Sequence, residues 1–390
     1  LVVPWGTHAT YHRRDRCLHH EQERGPFLLT LRHDTRFAPL AKEDIVTTVI
    51  RFLALLLLPL LLDTGQALAQ GAVEQATLDL PAVRDPQLGA QIAIADHFGY
   101  FKDEGLNVTV RWQQSGADII TLMASGQQGV AGGGSFAQIV LGGQKLPVRT
   151  IAPLANIAGT QGFVLSPKTK LSSPKDLEGK RLAHTQGNSQ VLILAKLAKQ
   201  YGFDASKVTL VNMQPSEGVV AASKGDVDGL LGWQPNLFRL VKLGGTLYTT
   251  ATVSYIGGKA EPLTGDRQLL HVYAFLLASD TWIKEKPRTL KALMRALKRA
   301  NDLMASDRGK ALDALEKELR IDDRDALKVM TDANRYTMAF DEDAAMAIRS
   351  QSEWALDIKR IPAAVSPDDV FSTGLMAEID PKLVTWKPKR

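Results

Sequence analysis

The chain has 390 residues, 45% hydrophobic and 23% charged, which is enough for two domains with separate cores. Lys and Arg outnumber Asp and Glu by 47 to 42, yet no basic block is long enough for a nucleic-acid footprint, so no nucleic-acid partner is expected. The single cysteine is Cys17, so disulfides, thiolate zinc sites and cysteine nucleophiles are excluded from the rest of the chain.

Leu1 opens the sequence, and the first methionine is Met123. Residues 1–43 carry His8, His12, His19, His20 and His33 without a repeated ligand spacing, and they show neither helical nor strand periodicity. This stretch is expected to be a non-native leader or an over-extended gene model, not a metal-binding arm. Arg51 then precedes the apolar run 52–62, and Ala67-Leu68-Ala69 follows a short polar stretch. A bilayer needs about 20 apolar residues, and this run is too short. A basic flank, a short apolar core and an A-x-A site describe a secretory signal peptide over 44–69, cut after Ala69. Gln70 would then begin the mature protein and, not being Cys, would carry no lipid anchor. A periplasmic location is expected.

From Thr77 onward, strands and helices alternate at the spacing of βα units. The loop Pro86-Gln87-Leu88-Gly89 leads into a helix that begins at Ala90 and continues to Phe101. Residues 106–112 alternate as a strand, and Ser115-Gly116 starts a helix over 119–124 that stops at Gly126. A strand over 130–134 ends in three glycines, Ser135 caps a helix over 136–141, and 148–154 is the next strand.

At 162–166 a strand leaves this first sheet and the cycle restarts. A strand over 181–184 is followed by the loop Thr185-Gln186-Gly187-Asn188-Ser189 and a helix with Val191, Leu194, Ala195 and Ala198 at helical spacing. A strand over 208–211, a helix over 217–224 and a strand over 227–231 lead to Gly232-Trp233-Gln234-Pro235. After a strand at 272–277 the pattern turns helical. Leu290, Leu293, Met294, Leu297 and Met304 make one apolar stripe, with Lys291, Arg295, Lys298 and Arg299 on the solvated face. Further helices are expected over 311–319, 325–335 and 343–358.

This order predicts an α/β fold of two lobes. Lobe one comprises 77–162 and 273–385, lobe two comprises 163–272, and two crossing strands near Phe163 and Tyr273 join them. The C-terminal helices pack on lobe one. Open α/β sheets bind ligands beyond the carboxyl ends of their strands, so two such sheets face each other across a cleft.

Several strand-to-helix loops place small polar residues where a helix begins: Ser115-Gly116, Gly134-Ser135 and Thr185 to Ser189. Helix N-termini expose unpaired N–H donors and the positive end of the dipole, which attracts anionic or strongly polar groups. Each Ser alone is an N-cap; together the loops form a candidate site with Gly89, Gly116, Gly187, Asn188 and Ser189. Gly132, Gly133 and Gly134 are expected to let backbone amides approach a ligand closely. Trp233 either closes the lobe-two core or walls the cleft, with Gln234 as a polar contact. Catalytic and metal-binding patterns are not found. Gly133-Gly134-Ser135-Phe136-Ala137 departs from G-x-S-x-G at Ala137. His97, His184 and His271 are not at ligand spacing, and only His184 adjoins a cleft loop. No P-loop or G-x-G-x-x-G motif opens a helix, and no cofactor is expected.

The segment from Asp96 to Val108, with Gly99-Tyr100-Phe101 and Glu104-Gly105-Leu106, resembles the solute-binding proteins for nitrate, taurine and aliphatic sulfonates. These are related to the thiamine-pyrimidine-synthase-like proteins. The resemblance continues through Pro174 to Ala183, Lys224 to Gly229 and Trp233-Gln234-Pro235. It implies a type II periplasmic binding fold with two crossovers. It also implies cleft residues at Ser115, Gly134-Ser135, Thr160, Thr185 to Ser189 and Trp233. The partners it implies are a small-molecule ligand and an ABC transporter permease in the inner membrane, served by a monomer. The sequence departs at Gly126-Gln127-Gln128-Gly129, where relatives usually carry an aspartate. A pyrimidine-synthase-like enzyme and an extracytoplasmic sensor remain alternatives. The absence of cysteine after Ala69 and the signal peptide weigh against the enzyme.

Overall fold

In the computed structural model, residues 71–388 are described, and they belong to one compact unit. The expected leader at 1–43, Cys17, the signal segment at 44–69 and the cut after Ala69 all lie outside the described residues.

Lobe one begins with β1 (Thr77–Val83) and β2 (Asn107–Gln113), paired in parallel from Thr77 opposite Asn107 to Val83 opposite Gln113. Between them run α1 (Ala90–His97) and α2 (Tyr100–Asp103). The sequence predicts a single helix through Phe101. It breaks because Gly99 takes a left-handed φ of 72°, which a helix interior cannot hold. Ala90 to Ala95 are all buried, since α1 is covered by later helices.

Next come α3 (Gly116–Ala124), β3 (Val130–Gly134), α4 (Ser135–Gly143) and β4 (Val148–Asn156). The returning strand β12 (Tyr273–Ser279) inserts between β3 and β4, antiparallel to both. The glycines of β3 serve packing. A Cβ on Gly132 would lie 2.7 Å from Ile92, and one on Gly133 would lie 3.1 Å from both Ile119 and Leu277. This corrects the expectation that all three glycines open a path to a ligand.

Lobe two is a seven-stranded sheet. Its members are β5 (Gln161–Leu165), β6 (Arg181–His184), β7 (Thr209–Asn212), β8 (Gly229–Trp233), β9 (Thr246–Thr250), β10 (Val253–Ser254) and β11 (Glu261–Pro262). The order is β11-β10-β9-β5-β8-β6-β7. Helices α5 (Val191–Tyr201), α6 (Pro215–Lys224) and α7 (Asn236–Lys242) connect them. The stretch from α7 to β11 has no predicted counterpart, because its elements are too short to establish a period.

The chain crosses between lobes at residues 157–161 and 269–272. These two crossings are bonded to each other where the Ile157 N–H donates to the Val272 carbonyl at 3.1 Å. On the lobe-two side, the Gln234 N–H donates to Thr160 and the Ala251 N–H to Gln161.

The tail comprises α8 (Asp280–Glu285), α9 (Pro287–Ser306), α10 (Arg308–Leu319), α11 (Arg324–Asp332), β13 (Arg335–Tyr336) and α12 (Glu342–Asp357). Its last helices are α13 (Pro367–Val370) and α14 (Gly374–Ile379). The apolar stripe of α9 is buried, and α9 covers α1 and α2. Its cations are ion-paired: Arg295 with Glu104, Lys291 with Glu378, Lys298 with Asp302 and Arg299 with Asp103. The helix expected to reach Arg335 stops at Asp332, because Arg335 and Tyr336 pair with Asn156 and Ala155 of β4.

Candidate functional site

Loops at the strand ends of both lobes meet around a small cavity of about 50 Å³. At roughly 10–15 Å³ per water, this holds about three to five water-sized groups. Lobe one supplies the loop after β1 (Asp85, Gln87, Leu88), the start of α3 (Gly116, Ile120) and the β3–α4 junction (Gly134, Phe136, Ala137). Lobe two supplies the loop before α5, Gly187 to Gln190, and Trp233 at the end of β8. Ile157, Gln161 and Val272 contribute from the crossings. The walls are apolar, with a few convergent polar groups, as small-molecule sites are.

Asp85 is the titratable side chain of this lining, and it is 4% exposed. Its Oδ1 accepts the N–H groups of Gln87 at 2.9 Å and Leu88 at 2.8 Å, which fixes the turn into α1. Burial pushes its carboxyl up from 3.8 to about 6, against the pull of those N–H donors and of the Trp233 indole.

Three glutamines connect the lobes beside it. The Gln190 amide donates to Gln161 Oε1 at 2.6 Å, and the Gln161 amide donates to Gln87 Oε1 at 2.5 Å. Gln87 in turn donates to the Gln234 carbonyl. The loop carrying Asp85 is held from the tail. Tyr336 donates its hydroxyl to the Pro86 carbonyl at 2.5 Å, and the Asn334 amide reaches the same oxygen.

Of the residues expected at the site, the fold brings Gly116, Gly134, Gly187, Asn188, Ser189 and Trp233 to the cavity. A Cβ on Gly116 would lie 3.4 Å from Asn188 Oδ1, so the lobes nearly touch there. Gly187 holds a φ of 87°, which lets the loop turn before α5. Ser189 stands two residues ahead of that helix, whose cap position belongs to Gln190.

The others have different roles. Ser135 is the first residue of α4 and not its cap; Gly134 holds the cap position. Its buried hydroxyl accepts the Tyr273 N–H at 3.2 Å and the Gln351 amide at 2.9 Å, away from the cavity lining. Ser115 forms a capping box, donating its hydroxyl and N–H to Asp118. With Thr185 it borders a separate open groove. Thr185 donates to the Met213 carbonyl at 3.0 Å. Thr160 is fully buried in the crossing, donating to Ile157 and Asn334. Gln234 Oε1 accepts the Phe238 N–H in the first turn of α7, whose cap position belongs to Pro235. Gly89 is a packing residue, since a Cβ there would lie 2.5 Å from the Val83 carbonyl and 2.8 Å from Trp112. His184 is half-buried, its pKa lowered by that burial, and lies outside the lining.

Sequence reasoning missed Asp85, Gln87, Gln161, Gln190 and Phe136. Asp85-Pro86 directly after a strand was the available signal, being a helix-entry turn at a strand carboxyl end. Among the described residues, no cluster of three His, Cys, Asp or Glu side chains could hold a metal ion.

Comparison with known proteins agrees with this geometry. A family model described as NMT1/THI5 like matches residues 89–311. The taurine-binding periplasmic protein of Escherichia coli (strain K12) is 30% identical over 168 residues, 43% of this chain and 52% of that one. A 4-amino-5-hydroxymethyl-2-methylpyrimidine phosphate synthase of Aspergillus parasiticus is 21% identical over 238 residues, 57% of this chain and 65% of that one. The chain thus spans between half and two thirds of the length of these curated relatives. The alkanesulfonate-binding protein SsuA from Xanthomonas axonopodis pv. citri, solved bound to MOPS, superposes with a TM-score of 0.63 at 15% identity. That match covers 77% of this chain and 99% of the other, and it shows the two-lobed periplasmic-binding-protein fold.

Proposed function

The chain belongs to the NMT1/THI5-like family, and from that premise we propose that it is the solute-binding component of an ABC importer. It captures a small polar organic or anionic ligand, such as a sulfonate, taurine, nitrate or a heteroaromatic, between its lobes. One observation carries this reading: the small cavity is built from both lobes, at the two crossings and at loops that follow strand ends in each. A site split this way couples occupancy to hinge closure, which is what a permease in the inner membrane would read.

Binding is the role the lining supports, since its walls are mostly apolar and its one hydroxyl, Ser189, has no His or Lys beside it among the described lining residues. The relatives include synthases, and a synthase-like activity is the reading that this one competes with. The protein works as a monomer in the periplasm, its 44–69 segment removed after Ala69.

The test is a calorimetric and thermal-shift screen of the protein beginning at Gln70. The panel contains taurine, alkanesulfonates, nitrate, small carboxylates and aminopyrimidines. A specific ligand stabilises the native state by mass action, by about 2.7 kcal/mol at a hundredfold excess over Kd, and so raises the melting temperature. Turnover of any panel member, or binding that survives filling the cavity by substitution at Gly116, would overturn the proposal.

A further inference from the structure

The cavity carries an anionic side chain, and among the described residues no Lys, Arg or His shares its lining. Among the described residues no cationic neighbour acts on the Asp85 carboxyl; burial, two backbone N–H groups and the Trp233 indole account for its environment. As a cap for the turn into α1, an asparagine would serve equally well without charge. A buried carboxylate with no counter-ion is costly, so the charge itself needs a partner that the protein does not provide. The same cavity is bordered by the starts of α3 and α4, whose N–H groups and dipoles suit the negative or polar end of a ligand. A ligand that is only an anion would meet Asp85 as a like charge.

We propose that Asp85 is the specificity-determining residue of this cavity: its carboxylate receives a protonated amine or a ring amino N–H of the ligand. This rests on the reading of the cavity as the solute site. The ligand class is therefore a small molecule with a cationic or N–H-donating nitrogen. It excludes simple anions such as nitrate and alkanesulfonates without an amine. The amine has two sources of the right size, an amino-sulfonate zwitterion and an aminopyrimidine.

Two matched pairs test the proposal by isothermal titration near neutral pH. The pairs are taurine against ethanesulfonate, and 4-amino-5-hydroxymethyl-2-methylpyrimidine against its 4-methyl counterpart, which has no N–H donor. In one pair the amine member binds at least about tenfold tighter, the scale of a hydrogen bond to a charged group. In Asp85→Asn that preference collapses to within about threefold, because the amine member loses its charged acceptor and ethanesulfonate is relieved of the like charge. The wild-type comparison alone can refute the idea, so it does not depend on the variant folding. Equal affinity within both pairs, or tighter binding of the members without the amine, overturns the role of Asp85 and leaves the solute site intact. So does tight binding of nitrate with no response to either amine. Failure of the whole panel to bind overturns the solute-site reading and this proposal with it.

Discussion

Asp85 ties the stability of the ligand-free protein to pH in a direction opposite to that of most carboxylates. Burial raises its carboxyl from 3.8 to about 6, so the native fold holds this proton more tightly than the unfolded chain does. Between those two values the native state binds more protons, and stability falls as pH rises. The favourable contribution is complete below about pH 4 and lost above about pH 6. At about 1.4 kcal/mol per pH unit the difference amounts to about 3 kcal/mol. Asp85→Asn keeps an oxygen to accept the Gln87 and Leu88 N–H groups but cannot ionise. The variant should match wild type near pH 4 and exceed it by up to about 3 kcal/mol at pH 7. Urea melts of both ligand-free proteins from pH 4 to 7.5 isolate this effect, because every other carboxyl titrates in both. A flat difference curve would refute the reasoning. So would a wild type that gains on the variant with rising pH, since that is how a salt-bridged carboxylate behaves.

Ser135→Ala should cost about 1–3 kcal/mol of folding stability, because the buried Tyr273 N–H and Gln351 amide lose their shared acceptor. Ligand affinity should stay at the wild-type value; a loss of affinity at unchanged melting temperature would place the hydroxyl in the site after all. Gly116→Leu drives a side chain into the gap before Asn188 and the small cavity behind it. Affinity measured by calorimetry should fall more than about tenfold, the penalty of overpacking a closed site, while the ligand-free melt moves little. Unchanged binding would show that the ligand sits elsewhere.

The fold was legible wherever burial imposes a local period. The stripe from Leu290 to Met304 repeats at helical spacing because one face of α9 covers α1 and α2, and all of it is buried. Likewise, βα alternation marks β6, α5, β7, α6 and β8, since each strand is followed within a few residues by the helix that covers it. No local pattern announces that β12 inserts between β3 and β4, or that β13 ends a helix early. Both outcomes depend on partners more than a hundred residues away. The β10–β11 edge is illegible for the complementary reason: two-residue strands have no period at all.

The site divides along the same line. Gly116, Gly187, Asn188 and Ser189 could be found because a strand-to-helix loop has a sequence signature and the fold places such loops at the cleft. That signature says where a loop lies but not where its hydroxyl points. Ser115, Ser135, Thr160 and Thr185 have their hydroxyls engaged with the protein's own groups, as polar side chains buried at helix starts and crossings generally must. Three of the polar groups that line the cavity are instead long glutamine side chains drawn from three distant segments. Gln87 and Gln161 are 74 residues apart and Gln161 and Gln190 are 29 apart, and only the two crossings bring them into one chain of amides. Asp85 depends on the same convergence, because its loop is hung from Tyr336 and Asn334, and Asn334 also takes the Thr160 hydroxyl of the crossing. One buried cluster therefore sets both the position of the carboxylate and the start of the path into lobe two. A residue whose role is defined by a hinge and a tail together cannot be read from its neighbours in sequence, and Asp85 is such a residue.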